Sequence, residues 1–352
     1  MAAYDAIVIG TGQAGPSLAF RLAGTGMKVA VIERHLVGGT CVNTGCTPTK
    51  ALVASAYAAR ITRHAAEYGV VIGGDIGIDM PRVKARKDAI VAASRNGLTS
   101  ALENAANITF YRGHARFASP RAVEVAGERL RAERIFINVG GQALVPPMPG
   151  ITEVPYLTNS TMMDVDFLPH HLIIVGGSYI GLEFGQMYRR FGSQVTIIEM
   201  AARLVRHEDE DVSAAIKDIV EREGVEVRLN AECISLAKRG HEIIAKVDCT
   251  DGAPEVAGSH LLLAVGRRPN TDDLELDKAG VRCDERGYIV VDDGHRFSAA
   301  ASRHYRRQLY RPRIRPNVPP LWQPGNDHRN GAAARTPRGR GRVGGHQRHR
   351  RA

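Results

Sequence analysis

No run of the chain is apolar for the ~20 residues that a helix needs to cross a bilayer, and the first residues pass straight into a strand pattern. A soluble, cytoplasmic protein with no membrane partner is therefore expected. Cysteine is scarce: there are five, and Cys233, Cys249 and Cys283 stand far from the other two. So thin a set argues against a secreted disulfide framework and suits a reducing compartment. CxxC pairs are missing as well, so no metal site is expected. Residues 294–352 lack lysine and glutamate altogether; they hold 15 arginines and one acid, Asp327. The formal charge of +10 belongs to that tail, which carries +14 against −4 for residues 1–293. Arginine charge alone gives salt-dependent, nonspecific binding, and beyond Tyr305, Tyr310 and Trp322 the tail has no stacking platform. No nucleic-acid partner is expected. The body of the chain, long enough for two or more ordinary cores, is slightly acidic and enzyme-like.

What is present is organised around Gly38-Gly39-Thr40-Cys41-Val42-Asn43-Thr44-Gly45-Cys46-Thr47-Pro48-Thr49-Lys50. Thr47 can cap a helix that begins with Pro48, whose missing N–H is harmless in a first turn. Cys46 would then sit at a helix N-terminus, where the dipole favours a thiolate, with Lys50 four residues on adding a positive charge. An acidified dithiol is what disulfide exchange requires, since a thiolate attacks and a low-pKa thiol leaves. A pair of structural cysteines or a metal site remain the competing readings of the spacing alone.

Two stretches share one design. Tyr4 to Ile9 reads as a buried strand leading to Gly10-Thr11-Gly12-Gln13-Ala14-Gly15, an apolar helix, and a strand from Lys28 that ends on Glu33. His171 to Val175 leads to Gly176-Gly177-Ser178-Tyr179-Ile180-Gly181, a helix through Phe191, and a strand ending on Glu199. The two match at a constant offset of 166 residues. Strand, glycine turn, helix, strand and acid in register form a dinucleotide-binding fingerprint. The first glycine makes the turn, the middle one lets backbone approach a pyrophosphate, and the third permits close helix–strand packing. The acid can accept from a ribose diol. Ser178 replaces the middle glycine of the second copy. Two such units imply two dinucleotides and electron transfer between them.

The rest is read more coarsely. Helices are expected over Ala51 to Tyr68, Val83 to Glu103 and Asp211 to Glu223. Ile108–Tyr111, Ala122–Val125 and Arg129–Arg131 suggest a small antiparallel sheet, and Arg134–Val139 a buried strand. Proline-rich Val145–Gly150 suggests a stiff crossing between domains. Leu261–Asn270, with Gly266 at its turn, closes the second unit, and Gly287–Asp292 reads as a strand.

The dithiol stretch, GGTCVNTGCTPTK, resembles the redox-active disulfide of the flavin-dependent pyridine nucleotide-disulfide oxidoreductases, the family of dihydrolipoamide dehydrogenase, glutathione reductase and mercuric reductase. The resemblance covers residues 1 to about 293. It implies an α/β fold with an FAD domain (1–146), an inserted NAD(P) domain (147–268) and a return segment (269–293). FAD would contact Gly10, Gly12, Gly15, Glu33, Gly39, Thr40 and Lys50. NADH, with NADPH possible, would contact Gly176, Ser178, Tyr179, Gly181, Glu199, Arg206 and Gly266. Glu199 favours NADH, because a carboxylate accepts from a 2′-hydroxyl and repels a 2′-phosphate; Arg203 and Arg206 stand near enough to reach a phosphate. By family position Cys46 faces the flavin as a charge-transfer thiolate and Cys41 attacks the substrate. Lys50 and Glu183 would pair beside the flavin, and Tyr179 would cover the nicotinamide pocket. Plainer readings are a dipole-serving carboxylate for Glu183 and a tyrosine packed on the sheet for Tyr179.

The pattern looks most like mercuric-reductase-like members, with dihydrolipoamide dehydrogenase the nearest competitor, so a small-molecule thiol, a disulfide or a metal ion is the expected substrate. Members are homodimers, and their A-x-G-D turn and dimerisation domain have no counterpart in residues 294–352. A shifted reading frame from near Asp293 is favoured over a disordered basic arm, and weak flavin binding without ordinary turnover, as in a nucleotide-binding relic, is expected of the chain as written.

Overall fold

The computed structural model describes residues 1–231, 234–248, 252–292, 294 and 296–297, so Cys233, Cys249 and the arginine-rich tail beyond Phe297 lie outside the described residues. β1 (Ala2–Ile9), α1 (Ala14–Ala23) and β2 (Val29–Glu33) form the first unit. β1 and β2 run parallel, with Ala6 opposite Val29 and both fully buried. Short unbroken apolar runs of this kind suit strands covered on both faces.

The cysteine stretch follows as α2 (Gly39–Asn43) and α3 (Cys46–Arg63). α3 starts two residues earlier than Pro48 requires, and Gly45, not Thr47, stands at its N-cap. Proline in a first turn tolerates this, because its absent N–H would have no partner there. α3 ends at Arg63, and a single 3₁₀ turn carries the chain to Tyr68. α4 (Met80–Glu103) is capped by Asp79, whose carboxylate accepts from the Arg82 N–H at 3.0 Å.

β3 (Ile108–Arg112), β4 (Arg116–Ser119), β5 (Ala122–Val125) and β6 (Glu128–Ile137) complete a six-stranded sheet in the order β3-β2-β1-β6-β5-β4. Of the antiparallel sheet expected here, Ala122–Val125 and Arg129–Arg131 do pair antiparallel, but as part of the main sheet, whereas Ile108–Tyr111 lies at its opposite edge. β3 lies parallel to β2, and Arg129–Arg131 and Arg134–Ile137 belong to one strand. β6 pairs with β1 from Leu130 to Ile137 on one edge and takes antiparallel β5 on the other, which joins the two halves.

β7 (Gly141–Ala143) precedes the irregular, proline-rich segment and the second unit. That unit contains β8 (His171–Val175), α5 (Tyr179–Phe191), β9 (Gln194–Ile198), α6 (Glu210–Arg222) and β10 (Glu226–Arg228). An antiparallel sheet of β11 (Ser235–Arg239), β12 (Glu242–Lys246) and β13 (Glu255–Gly258) follows. β14 (His260–Leu263) then joins β8 to complete a four-stranded parallel sheet, β10-β9-β8-β14. β15 (Arg267–Pro269) pairs with β7. The strand expected at Gly287–Asp292 reduces to one bridge, Cys283 to Ile289. There the Asp284 carboxylate accepts from the N–H groups of Arg286 and Tyr288, both at 2.9 Å, and holds a turn instead. Among the described residues no helix is long and apolar enough to cross a membrane.

α3 packs on α5, burying Leu52 and Ala56 with Phe184, Met187, Tyr188 and Phe191. The Arg63 guanidinium caps the far end of α5, donating to the carbonyls of Arg190 and, at 3.1 Å, Phe191. Both helices therefore present their N-termini to one region and are tied at their C-termini.

The two units share their tightest contacts. Gly10 and Gly176 adopt φ of +101° and +112°, and each donates its N–H at 2.8 Å to the last apolar residue of the neighbouring strand, Ile32 and Ile198. A Cβ on Gly15 would collide with the Gly10 carbonyl oxygen, and one on Gly181 with that of Gly176. A Cβ on Gly12 meets nothing within 4 Å. Gly15→Ala and Gly181→Ala should each destabilise the chain by about 2–4 kcal/mol, whereas Gly12→Ala should stay within about 1 kcal/mol. Thermal unfolding of the three variants checks this; equal melting temperatures for Gly12→Ala and Gly15→Ala would contradict it.

Candidate functional site

A cleft of about 300 Å³ opens at the C-terminal end of the six-stranded sheet, lined among others by Gly10, Thr11, Gly12, Glu33, Gly39 and Thr40. Glu33 sits at the end of β2 and braces the glycine turn. Its Oε2 accepts from the Thr11 N–H at 3.0 Å and the Thr11 hydroxyl at 2.6 Å, and its Oε1 from the His35 N–H at 2.9 Å. A carboxylate has about four acceptor positions, so capacity remains for a further donor. Gly12 opens onto the cleft, while Gly15 is buried within the first turn of α1 and is not in its lining.

The second turn is braced in the same way. Glu199 Oε2 accepts from the Gly177 N–H at 2.6 Å and Oε1 from the Ala201 N–H at 2.9 Å. Gly177 and Ala201 correspond to Thr11 and His35 at the sequence offset. Ser178 has φ of −98°, an ordinary conformation, so its replacement of glycine carries no backbone strain. Tyr179 begins α5 and is 58% exposed, which excludes the reading that packs it on the sheet. Its hydroxyl donates to the Glu208 carboxylate. That hydrogen bond, then partial burial, pushes the phenol above its usual value and keeps it a neutral donor. Arg206 is exposed and makes no hydrogen bond or ion pair through its side chain among the described residues, whereas Arg203 lies 3.9 Å from Glu210. Gly266, at φ of +136°, accepts from the Leu144 N–H at 3.0 Å and is not among the residues lining the first cleft.

Cys41 is half-buried on α2 and Cys46 is exposed at the first position of α3, both as free thiols. Their loop is fastened to the first turn. Gly38 donates its N–H to the Thr11 carbonyl at 3.1 Å, and a Cβ on Gly39 would lie 2.8 Å from the Gly12 Cα. The Asn43 amide donates to the Val37 and Gly39 carbonyls, both at 3.0 Å, and its oxygen accepts from Arg95 at 3.3 Å. Arg267 reaches the Thr40 hydroxyl at 3.1 Å, and buried Asn159 donates to the Thr44 carbonyl at 3.1 Å. None of Thr11, Arg95, Asn159 or Arg267 was singled out from the sequence as a site residue. Arg267 belongs to the Leu261–Asn270 segment that closes the second unit, but its partner is 227 residues away.

Cys41 departs from the acidified dithiol that the spacing led us to expect. Burial, followed by the hydrogen bond and charge of Cys46, pushes the Cys41 thiol above its usual value, and the Lys50 ammonium opposes them. Lys50 thus acts on Cys41 as well as standing one turn beyond Cys46. The expected Lys50–Glu183 pair is absent: both side chains are exposed and no ion pair joins them, although α3 and α5 pack together. In water such a pair is worth ~1 kcal/mol or less, too little to hold two long side chains in one geometry.

The family model for pyridine nucleotide-disulphide oxidoreductases matches residues 4–301. Mercuric reductase of Streptomyces lividans is 35% identical over 295 residues, covering 82% of this chain and 62% of that protein. Dihydrolipoyl dehydrogenase of Thermus scotoductus is 35% identical over 296 residues, 83% of this chain and 63% of that one. The probable pyridine nucleotide-disulfide oxidoreductase RclA of Escherichia coli is 38% identical over 296 residues, with 82% and 62% coverage. The solved Cu(II) complex of RclA, an HOCl-induced flavoprotein disulfide reductase from Escherichia coli, superposes with a TM-score of 0.72 at 36% identity, over 83% of this chain and 63% of that one. The chain thus spans about 62–63% of the length of these relatives. With its two braced glycine turns and the dithiol loop fastened to the first, this chain belongs to the pyridine nucleotide-disulphide oxidoreductase family.

Proposed function

We propose that the chain is an NAD(P)H-dependent flavoprotein oxidoreductase whose redox pair is Cys41 and Cys46. The observation that carries this reading is the contact of Gly39 with Gly12, which seats the dithiol loop on the first glycine turn. The residues present fit the groups the family uses. Gly12 is open to a pyrophosphate at the start of α1, and Glu33 keeps acceptor capacity for a ribose. Gly39 and Thr40 line the same cleft. Gly176, Ser178, Gly181 and Glu199 form the corresponding cradle for a nicotinamide dinucleotide. FAD, when bound, supplies a two-electron relay between the nicotinamide and the dithiol.

The chain's own part is to ready two sulfurs and receive a substrate. In the reduced pair the Cys41 thiolate attacks a substrate disulfide and displaces one thiol; the Cys46 thiolate then attacks Cys41 and displaces the second. A Cys41–Cys46 disulfide forms as the substrate disulfide is reduced, and the pair needs two electrons and two protons to reset. Lys50 offsets the burial that holds Cys41 protonated. Relatives at equal identity carry the names mercuric reductase and dihydrolipoyl dehydrogenase, so the reading rests at the level of thiol, disulfide or metal-ion substrates, with a mercuric-reductase-like activity preferred.

With FAD and NADH added, the weak reduction of a small aromatic disulfide or Hg(II) expected of the chain should fall further, ~100-fold or more, in Cys41→Ser and in Cys46→Ser. Turnover unchanged in both variants would remove the pair from the reaction.

Site-resolved alkylation by iodoacetamide probes the sulfurs without a cofactor. The rate at Cys41 should climb with pH through a midpoint above the ordinary thiol range, since thiolate forms only there. Lys50→Met should move the midpoint further up, and Cys46→Ala should move it down. Shifts in the opposite senses would contradict the assigned causes.

Nucleotide choice follows from Glu199. Glu199→Gln removes the charge but keeps an acceptor for a neighbouring N–H, so the preference for NADH over NADPH should fall by about tenfold. An unchanged ratio of dissociation constants would take Glu199 out of the argument.

A further inference from the structure

The segment after β9 doubles back beneath the second glycine turn. Its Val205 N–H donates to the Gly177 carbonyl at 3.0 Å, and Leu204 is fully buried, so close that a Cβ on Gly177 would strike it. Val205 takes φ of +42°, a left-handed conformation that a β-branched residue adopts only when its surroundings impose it. The strained turn continues with the Glu208 N–H donating to the Val205 carbonyl at 2.8 Å. That bond brings the Glu208 side chain back to the start of α5, where its carboxylate accepts a hydrogen bond from the Tyr179 hydroxyl. No basic side chain forms an ion pair with Glu208 among the described residues, so its tie is to Tyr179.

An anion and an aromatic ring are thus locked together at the N-terminus of the helix that a dinucleotide pyrophosphate would approach. We propose that Glu208 is a positioning residue that latches Tyr179 across the second glycine turn, and that a nicotinamide dinucleotide binds by breaking this latch. The proposal rests on the reading of the second turn as a dinucleotide site. A hydrogen bond to a charged acceptor opposes its own breaking, and the carboxylate also repels the incoming phosphates. The backbone bonds of Val205, to the Gly177 carbonyl and from the Glu208 N–H, hold Glu208 in place, which makes the latch a property of the 199–209 loop and not of a freely moving side chain. Glu208 and Tyr179 therefore weaken binding through one shared bond.

A double-mutant cycle on the full chain, with NADH as the probe and its fluorescence as the readout, tests this without requiring flavin or turnover. Tyr179→Phe keeps the ring and removes only the hydroxyl; Glu208→Gln keeps the shape and removes the charge. Each single variant should bind NADH about three- to tenfold more tightly, and the double variant should gain much less than the product of the two. Melting temperatures without NADH identify any variant whose fold has changed, and Glu208→Ala then replaces Glu208→Gln in the cycle. Fully multiplicative effects, unchanged affinity or weaker binding in Glu208→Gln would overturn the latch. Failure of the parent chain to bind NADH would instead overturn the dinucleotide reading of the second turn, and the latch with it.

Discussion

A carboxylate at the end of a parallel strand, bonded to the backbone of a glycine turn, is the interaction on which the rest of the site depends. Glu33 holds Thr11 and His35, and Glu199 holds Gly177 and Ala201. Each brace fixes the glycine turn at the start of its helix and leaves acceptor capacity on the carboxylate. The turns can lie so close to their helices only because Gly15 and Gly181 have no side chain. Charge and close backbone packing are coupled here, since the carboxylate bonds to N–H groups that the packing holds in position.

Beyond each brace the chain returns onto its own turn, and the two returns are built differently. In the first unit Gly38, at φ of +99°, donates to Thr11, and the chain goes on to form the dithiol loop. In the second, Val205 makes the equivalent contact with Gly177 under strain, and the chain goes on to Glu208. One topological position thus leads to the loop of Cys41 and Cys46 in one unit and to the Tyr179–Glu208 hydrogen bond in the other. The glycines at 38 and 39 allow the closer approach, down to the Gly39–Gly12 contact, which the dithiol loop needs to reach the first cleft.

Long-range ties keep these loops in place. Arg63 caps α5 from α3, Asn159 holds Thr44, and Arg267 holds Thr40. Lys87, only 3% exposed, donates its ammonium to the Met163 carbonyl at 2.7 Å and pairs with Asp88, anchoring α4 to the segment that leads into the second unit. A buried ammonium without partners would be costly, so these acceptors are needed wherever the lysine is buried.

The local patterns written in short stretches were legible without a structure. The paired turns, the acids at Glu33 and Glu199, and the Cys41–Cys46 loop are local patterns whose spacing follows from strand and helix periodicity. The sequence by itself therefore determined the two units of strand, glycine turn, helix, strand and acid, and the loop that holds Cys41 and Cys46. It did not determine what depends on distant residues. β3 joins the main sheet and β6 runs unbroken because β1 and β2 offer free edges, which no local pattern encodes. α3 begins at Cys46 because Gly45 is held close against Thr40 and Cys41, a contact within the folded loop. The absence of a Lys50–Glu183 pair, the raised Cys41 thiol and the Tyr179–Glu208 bond were decided by solvent exposure, burial and a loop crossing between strand and helix. Those are tertiary quantities, set by what each side chain meets after the chain has closed on itself.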